Sequence, residues 1–115
     1  MLVSSQEALE QFMLYIQVEK NFSVHTVREY ESDLLDFLAF LQAEGVNDLA
    51  SVEYIHARLY VTKLYDEKKA RTSVSRKISS IRSFFRFLNK QHGLDDGAFR
   101  SLYHPKKESR LPSFF

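Results

Sequence analysis

Residues 71–90 read "RTSVSRKISSIRSFFRFLNK", and this stretch decides the fold. Val74, Ile78, Ile81, Phe85 and Leu88 fall within a narrow arc at 100° per residue, the signature of an amphipathic helix with one apolar stripe. The same stretch holds six basic residues and no acid. Thr72, Arg76, Ser79, Ser80, Ser83, Arg86 and Lys90 are expected opposite the stripe, facing solvent. Serine costs roughly 0.5 kcal/mol against alanine inside a helix. Several serines on an exposed face break a local rule with no structural return, so that face asks for a partner.

Working outward, the rest of the chain reads as further helices. Proline is absent before Pro105, and glycine stands only at 45, 93 and 97. Ser4 or Ser5 is expected to cap a helix over about 5–20, with Leu9, Phe12, Met13 and Ile16 on one face. Ser23 is expected to cap a second over about 24–44. There Val27, Tyr30, Leu34, Phe37, Leu38 and Leu41 keep i, i+3/i+4 spacing, and Gly45 suits a left-handed cap. Ser51 is the expected cap of a third helix, about 52–68, with Tyr54, Ala57, Val61 and Leu64 as its stripe. "DEKKART" is a polar connector to the fourth helix, which "HGLDDG" stops. A short fifth helix is expected near 96–103. Nothing alternates with period two, so the fold class is all-α. Tyr30, Leu34, Phe37, Leu38, Leu41, Val74, Ile78, Ile81, Phe85 and Leu88 are expected to be buried together.

The chain has 115 residues, one domain's worth, 44% hydrophobic and 27% charged. That is ordinary for a globular protein. With no cysteine, disulfides and thiolate metal sites are excluded. His25, His56, His92 and His104 lack zinc-site spacing. Neither metal nor cofactor is expected. No apolar run reaches membrane-span length, and "MLVSSQEALEQ" is not a secretory signal, so a cytoplasmic location is expected. The tail "HPKKESRLPSFF" reads as a linker leading toward a second domain. It gives expected boundaries of 1–103 for the domain and 104–115 for the linker.

Charge is divided unevenly. Residues 1–57 hold two basic and ten acidic residues, a balance of −8. Residues 58–115 hold fourteen basic and five acidic residues, a balance of +9. Such asymmetry points to a polyanion partner. The competing reading is intramolecular: the two halves complement each other.

The hydroxyl-rich face of the fourth helix has a specific use. Short hydroxyls allow a helix backbone close to a phosphate strand and bond phosphate oxygens or base edges, while arginines neutralise charge or read guanine. Arg76 and Ser80 are expected at the centre of such a contact. At the start of the second helix, "FSVHTVREY" places Thr26 and Arg28 off the apolar stripe near exposed N–H groups, where anions are favoured. Ser23 reads better as a cap. Glu29 suits DNA only by accepting from a cytosine amino group.

Three segments together, "NFSVHTVREYESDLLDFLAFLQ", "TSVSRKISSIRSFFRFLNKQHGL" and "PKKESRLPSF", resemble the N-terminal core-binding domain of tyrosine recombinases. The similarity is greatest to the XerC-like branch of the Xer and phage integrase family. The resemblance covers nearly the whole chain. It implies a SAM-like bundle of four long helices, with a possible short fifth, forming half of a clamp on double-stranded DNA. The second and fourth helices would lie in the major groove of a recombination half-site. Carried over by position, the DNA-facing candidates are Thr26, Arg28, Glu29, Thr72, Arg76, Ser79, Ser80 and Ser83, with Arg86 added by the pattern itself. The resemblance further implies partner recombinase protomers, chromosome dimer resolution, and a parent enzyme whose catalytic domain lies outside this chain. The isolated chain is expected to be monomeric.

The family's chemistry uses a tyrosine nucleophile with arginines and a His-x-x-Arg motif. His25-Thr26-Val27-Arg28 matches that pattern literally, but a pattern with two fixed positions recurs by chance. Tyr30 belongs to the apolar stripe. Tyr15, Tyr54, Tyr60, Tyr65 and Tyr103 read as core or boundary aromatics. No catalytic residue is therefore expected here: the chain should bind DNA and not cut it. The alternative function is a helical module for protein–protein interaction or self-association, driven by the −8/+9 split. A membrane-surface role is weak, because the apolar face of the basic helix is needed for the core.

Overall fold

The computed structural model describes residues 4–94 together with Gly97. Four α-helices follow one another: α1 (Ser5–Val18), α2 (Val24–Ala43), α3 (Tyr54–Asp66) and α4 (Arg71–His92). A 3₁₀ turn, Leu49–Ser51, precedes α3. No strand forms among the described residues, so the domain is all-α. The expected fifth helix and the 104–115 linker lie outside the described residues.

The helix boundaries have local causes. The Ser4 hydroxyl accepts from the Glu7 N–H at 3.1 Å and the Glu7 carboxylate accepts from the Ser4 N–H at 3.3 Å, a reciprocal capping box. The Ser23 hydroxyl accepts from the Thr26 N–H at 3.1 Å and opens α2. Gly45 takes φ +84° just past α2, and Gly93 takes φ +70° at the end of α4, the left-handed conformations for which glycine has no steric cost. Ser51 does not cap α3. Asp48 accepts from the Ala50 N–H at 3.1 Å and winds 49–51 into the 3₁₀ turn, so α3 starts only after Glu53. There the Glu53 N–H is satisfied by His56 Nδ1 at 2.9 Å.

α4 is the centre of the bundle. It touches α1, α2 and α3, most extensively α2. Its buried apolar residues are Val74, Ile78, Ile81, Phe84, Phe85, Phe87 and Leu88. They meet Phe12 and Ile16 of α1, Leu34, Phe37 and Leu41 of α2, and Ala57, Tyr60, Val61 and Leu64 of α3 in one core. Aromatic edges interlock there: Phe12 lies 5.4 Å from Phe84 and Phe37 lies 5.0 Å from Tyr60, both edge-to-face. Of the expected core, Tyr30 and Leu38 are only half-buried at its margin. Tyr54, placed on the α3 stripe by spacing, is exposed at the helix start; Tyr60 takes the buried aromatic position instead.

Candidate nucleic-acid interface

Three sides of α4 are covered by neighbours, which leaves a narrow outward arc. Arg71, Thr72, Ser75, Ser79, Arg86, Asn89 and Lys90 are exposed along it, with Arg82 and Ser83 half-buried at its edge. No acidic residue occurs anywhere on the helix. Thr72, Ser79 and Arg86 therefore stand at the surface as the sequence pattern expects, and Ser83 stands partly so. Ser75 completes the row, and the pattern missed it: the narrow apolar stripe assigned it to neither face.

Ser80 is a correction. It was expected on the outward face, yet its exposure is 0%. The hydroxyl donates to Asp33 Oδ2 at 3.0 Å, and a second contact of 3.0 Å joins it to the Arg76 carbonyl oxygen one turn back. Because α1 and α2 flank α4, the buried arc is wider than the apolar stripe, and Ser80 falls inside it.

Asp33 is the hub of this polar cluster. Its carboxylate, also 0% exposed, accepts Arg76 Nε at 2.9 Å and an Arg76 terminal N–H at 3.0 Å, a two-pronged pair. Lys77 Nζ reaches the same carboxylate at 3.2 Å and Asp36 at 3.0 Å. The second terminal nitrogen of Arg76 lies 3.5 Å from Glu29, which His25 Nε2 approaches at 3.2 Å. The Arg76 side chain is 34% exposed and that of Lys77 only 8%. Hydrogen bonding to Asp33 holds the Arg76 guanidinium further above its ordinary value. Four donor contacts to one carboxylate offset the cost of burying its charge, and the network ties α2 to α4.

The cluster changes the electrostatic reading. Two of the cations in 71–90 are neutralised from the acidic half of the chain, so the −8/+9 split is in part intramolecular complementarity. Arg86 and Lys90, by contrast, form no ion pair among the described residues. On α2, Arg28 is exposed and Thr26 half-buried, its hydroxyl 3.0 Å from that of Ser23. Glu29 is half-buried and faces Arg76. His25 is engaged by Glu29, and His25, Arg28 and Tyr30 form no hydrogen bond or ion pair with one another. Among the described residues no helix is long and apolar enough to cross a membrane.

A small all-α bundle whose central helix turns a basic, hydroxyl-lined and acid-free face outward is the class of domain that the fold and this surface define. The chain belongs to the phage integrase N-terminal SAM-like domain family, whose sequence model matches residues 9–92. It is similar to the tyrosine recombinase XerC of Listeria welshimeri, 40% identical over 92% of this chain and 35% of the relative. The tyrosine recombinase XerC of Oceanobacillus iheyensis is 42% identical over the same shares. That of Staphylococcus haemolyticus is 45% identical over 90% of this chain and 35% of the relative. The chain thus spans about a third of the length of the curated relatives it matches. No solved structure matches it.

Proposed function

We propose that this domain binds double-stranded DNA by laying the outward arc of α4 into a major groove, with the start of α2 alongside. In the longer protein it acts as the DNA-holding half of a site-specific tyrosine recombinase of the XerC type. A catalytic domain would grip the other side of a recombination half-site, and partner protomers would complete the assembly for chromosome dimer resolution. The observation that carries this reading is the row Thr72, Ser75, Ser79, Ser83, Arg86 and Lys90. Small hydroxyls admit close approach to phosphate, and two cations without carboxylate partners stand ready to neutralise it. Arg28, Thr26 and Glu29 flank that row from α2.

Within this reading Arg76 is a positioning residue: Asp33 and Glu29 take its donors, and it fixes α2 against α4. Ser80 has no part in the contact surface. The chain binds and does not cut, and its role calls for neither cofactor nor metal.

The test is chemical-shift mapping with a short duplex at low salt, since half a clamp binds weakly. Shifts at Thr72, Ser79, Ser83 and Arg86, joined by Thr26 and Arg28, are expected. Shifts that appear on self-dilution without DNA, at the exposed Ile55 and Leu59 of α3, would replace this reading with self-association.

A further inference from the structure

A cleft opens at the C-terminal end of the outward arc, between α4, α1, the α1–α2 connection and the first turns of α2. Its volume is 90 Å³. Two aromatic pairs line it: Tyr15 with Phe87, centroids 4.9 Å apart, and Phe22 with Tyr30, 5.5 Å apart and edge-to-face. Tyr15, Phe22 and Tyr30 are half-buried, so part of each ring remains open to the cleft. The rim carries Lys20, Arg86 and Lys90, all exposed and none in an ion pair among the described residues. Ser83 and Gln91 add polar groups, and no acidic residue lines the cleft among the described residues.

We infer that this cleft is a subsite for a single unpaired pyrimidine nucleotide, the base held among the aromatic rings and its phosphate on Lys20, Arg86 and Lys90. The chemistry of the lining selects this ligand. Rings recognise the flat face of a base, and stacking on aromatic side chains is the usual means of holding unpaired bases. Three cations without partners recognise the attached phosphate. Size selects within the class. The cleft's 90 Å³ is less than the about 150 Å³ that encloses benzene, so a base enters only in part through the open side, and a single-ring pyrimidine leaves less of itself outside than a fused purine. Ser83, Arg86 and Lys90 belong to both the cleft and the outward arc. A strand on α4 would therefore deliver an extruded or unpaired base here without leaving the protein surface. In that form the inference rests on the proposed duplex contact, but the cleft itself does not.

The test uses the whole chain and separates the sources of the ligand. Thymidine 5′-monophosphate should shift Tyr15, Phe22 and Tyr30 together with Lys20, Arg86 and Lys90, and 2′-deoxyadenosine 5′-monophosphate should do so more weakly. A duplex with one unpaired thymidine should bind about tenfold more tightly than the same duplex fully paired, within the range for stacking one base. Phe22→Ala, at the half-buried edge, should abolish that preference and leave fully paired binding unchanged. Lys20→Gln should weaken the mononucleotide and leave the fold intact. If free nucleotide binds and the unpaired duplex gains nothing, the site serves a free mononucleotide and the strand-delivery route is wrong. Equal response to purine, or shifts with inorganic phosphate alone and none on the rings, would overturn the inference. Loss of duplex binding with retained mononucleotide shifts would instead remove the groove-docking proposal and spare the cleft.

Discussion

Arg76 and Arg86 sit ten residues apart on one helix, in one acid-free run of sequence, and do opposite things. Arg76 has one third of its side chain exposed and is held by Asp33 and Glu29. Arg86 is exposed, on the rim of an aromatic cleft, with no carboxylate against it among the described residues. The adjacent serines repeat the contrast: Ser79 faces outward, Ser80 is buried against Asp33. Residue type and local charge are the same in each pair. The neighbouring helix decides which member is structural and which is available to a partner. A basic run is therefore two surfaces, and only the part its own fold leaves unneutralised can meet a polyanion.

The largest effect is expected at Asp33, the hub of the buried network. Asp33→Ala takes their shared carboxylate from Arg76 and from Lys77, only 8% exposed, and should cost about 3–5 kcal/mol in chemical denaturation. A loss below 1 kcal/mol would mean that the cluster is solvated and the contrast is empty. For the binding side, Arg86→Ala should leave stability within about 0.5 kcal/mol and lower duplex affinity. The slope of log affinity against log salt should fall by about 1, as for one lost phosphate contact. Arg76→Ala should show the reverse weighting, with loss of stability first.

The stripe of Val74, Ile78, Ile81, Phe85 and Leu88 was readable because one helical face against one neighbour obeys a fixed period. Lys77, Ser80, Phe84 and Phe87 were not, because their burial comes from α1 and α2 closing over the flanks of α4, which no local period encodes. One signal was present. Asp33 stands beside Leu34 and a turn from Phe37, next to the apolar stripe of α2, where an acid is stable only with a partner. Its match to Arg76 and Lys77 lies more than forty residues away. Of the candidate site, Thr72, Ser79 and Arg86 needed only the period. The cleft needed three elements to meet, and no single stretch announced it.

A finer cut separates the two serines. Ser80→Ala removes a buried hydrogen bond and should destabilise by about 1 kcal/mol. Ser79→Ala replaces an exposed helical serine with the better helix former and should stabilise by up to about 0.5 kcal/mol. Opposite signs at neighbouring positions, read from urea midpoints at constant slope, are expected; equal signs would erase the distinction.

The smallest effect concerns pH. Burial raises the Tyr60 phenol above its ordinary value, and the Asp36 and Asp33 charges add to this. A phenol harder to ionise when folded contributes stability below its unfolded value, about 10, and loses it as pH rises beyond. Tyr60→Phe should therefore flatten the alkaline fall in melting temperature and change little at neutral pH.

The Asp33 cluster also bears on how such a domain can be re-coded. A slip of α4 by one helical turn would carry Arg76 about 5.4 Å from its acceptor, so the cluster works as an alignment pin that sets the register of the outward row. Because the pin and the row share no residue, Thr72, Ser75, Ser79 and Arg86 can be rewritten by evolution or by a designer while the scaffold keeps its alignment. Asp33, Arg76, Lys77 and Ser80 are bound to change together or not at all.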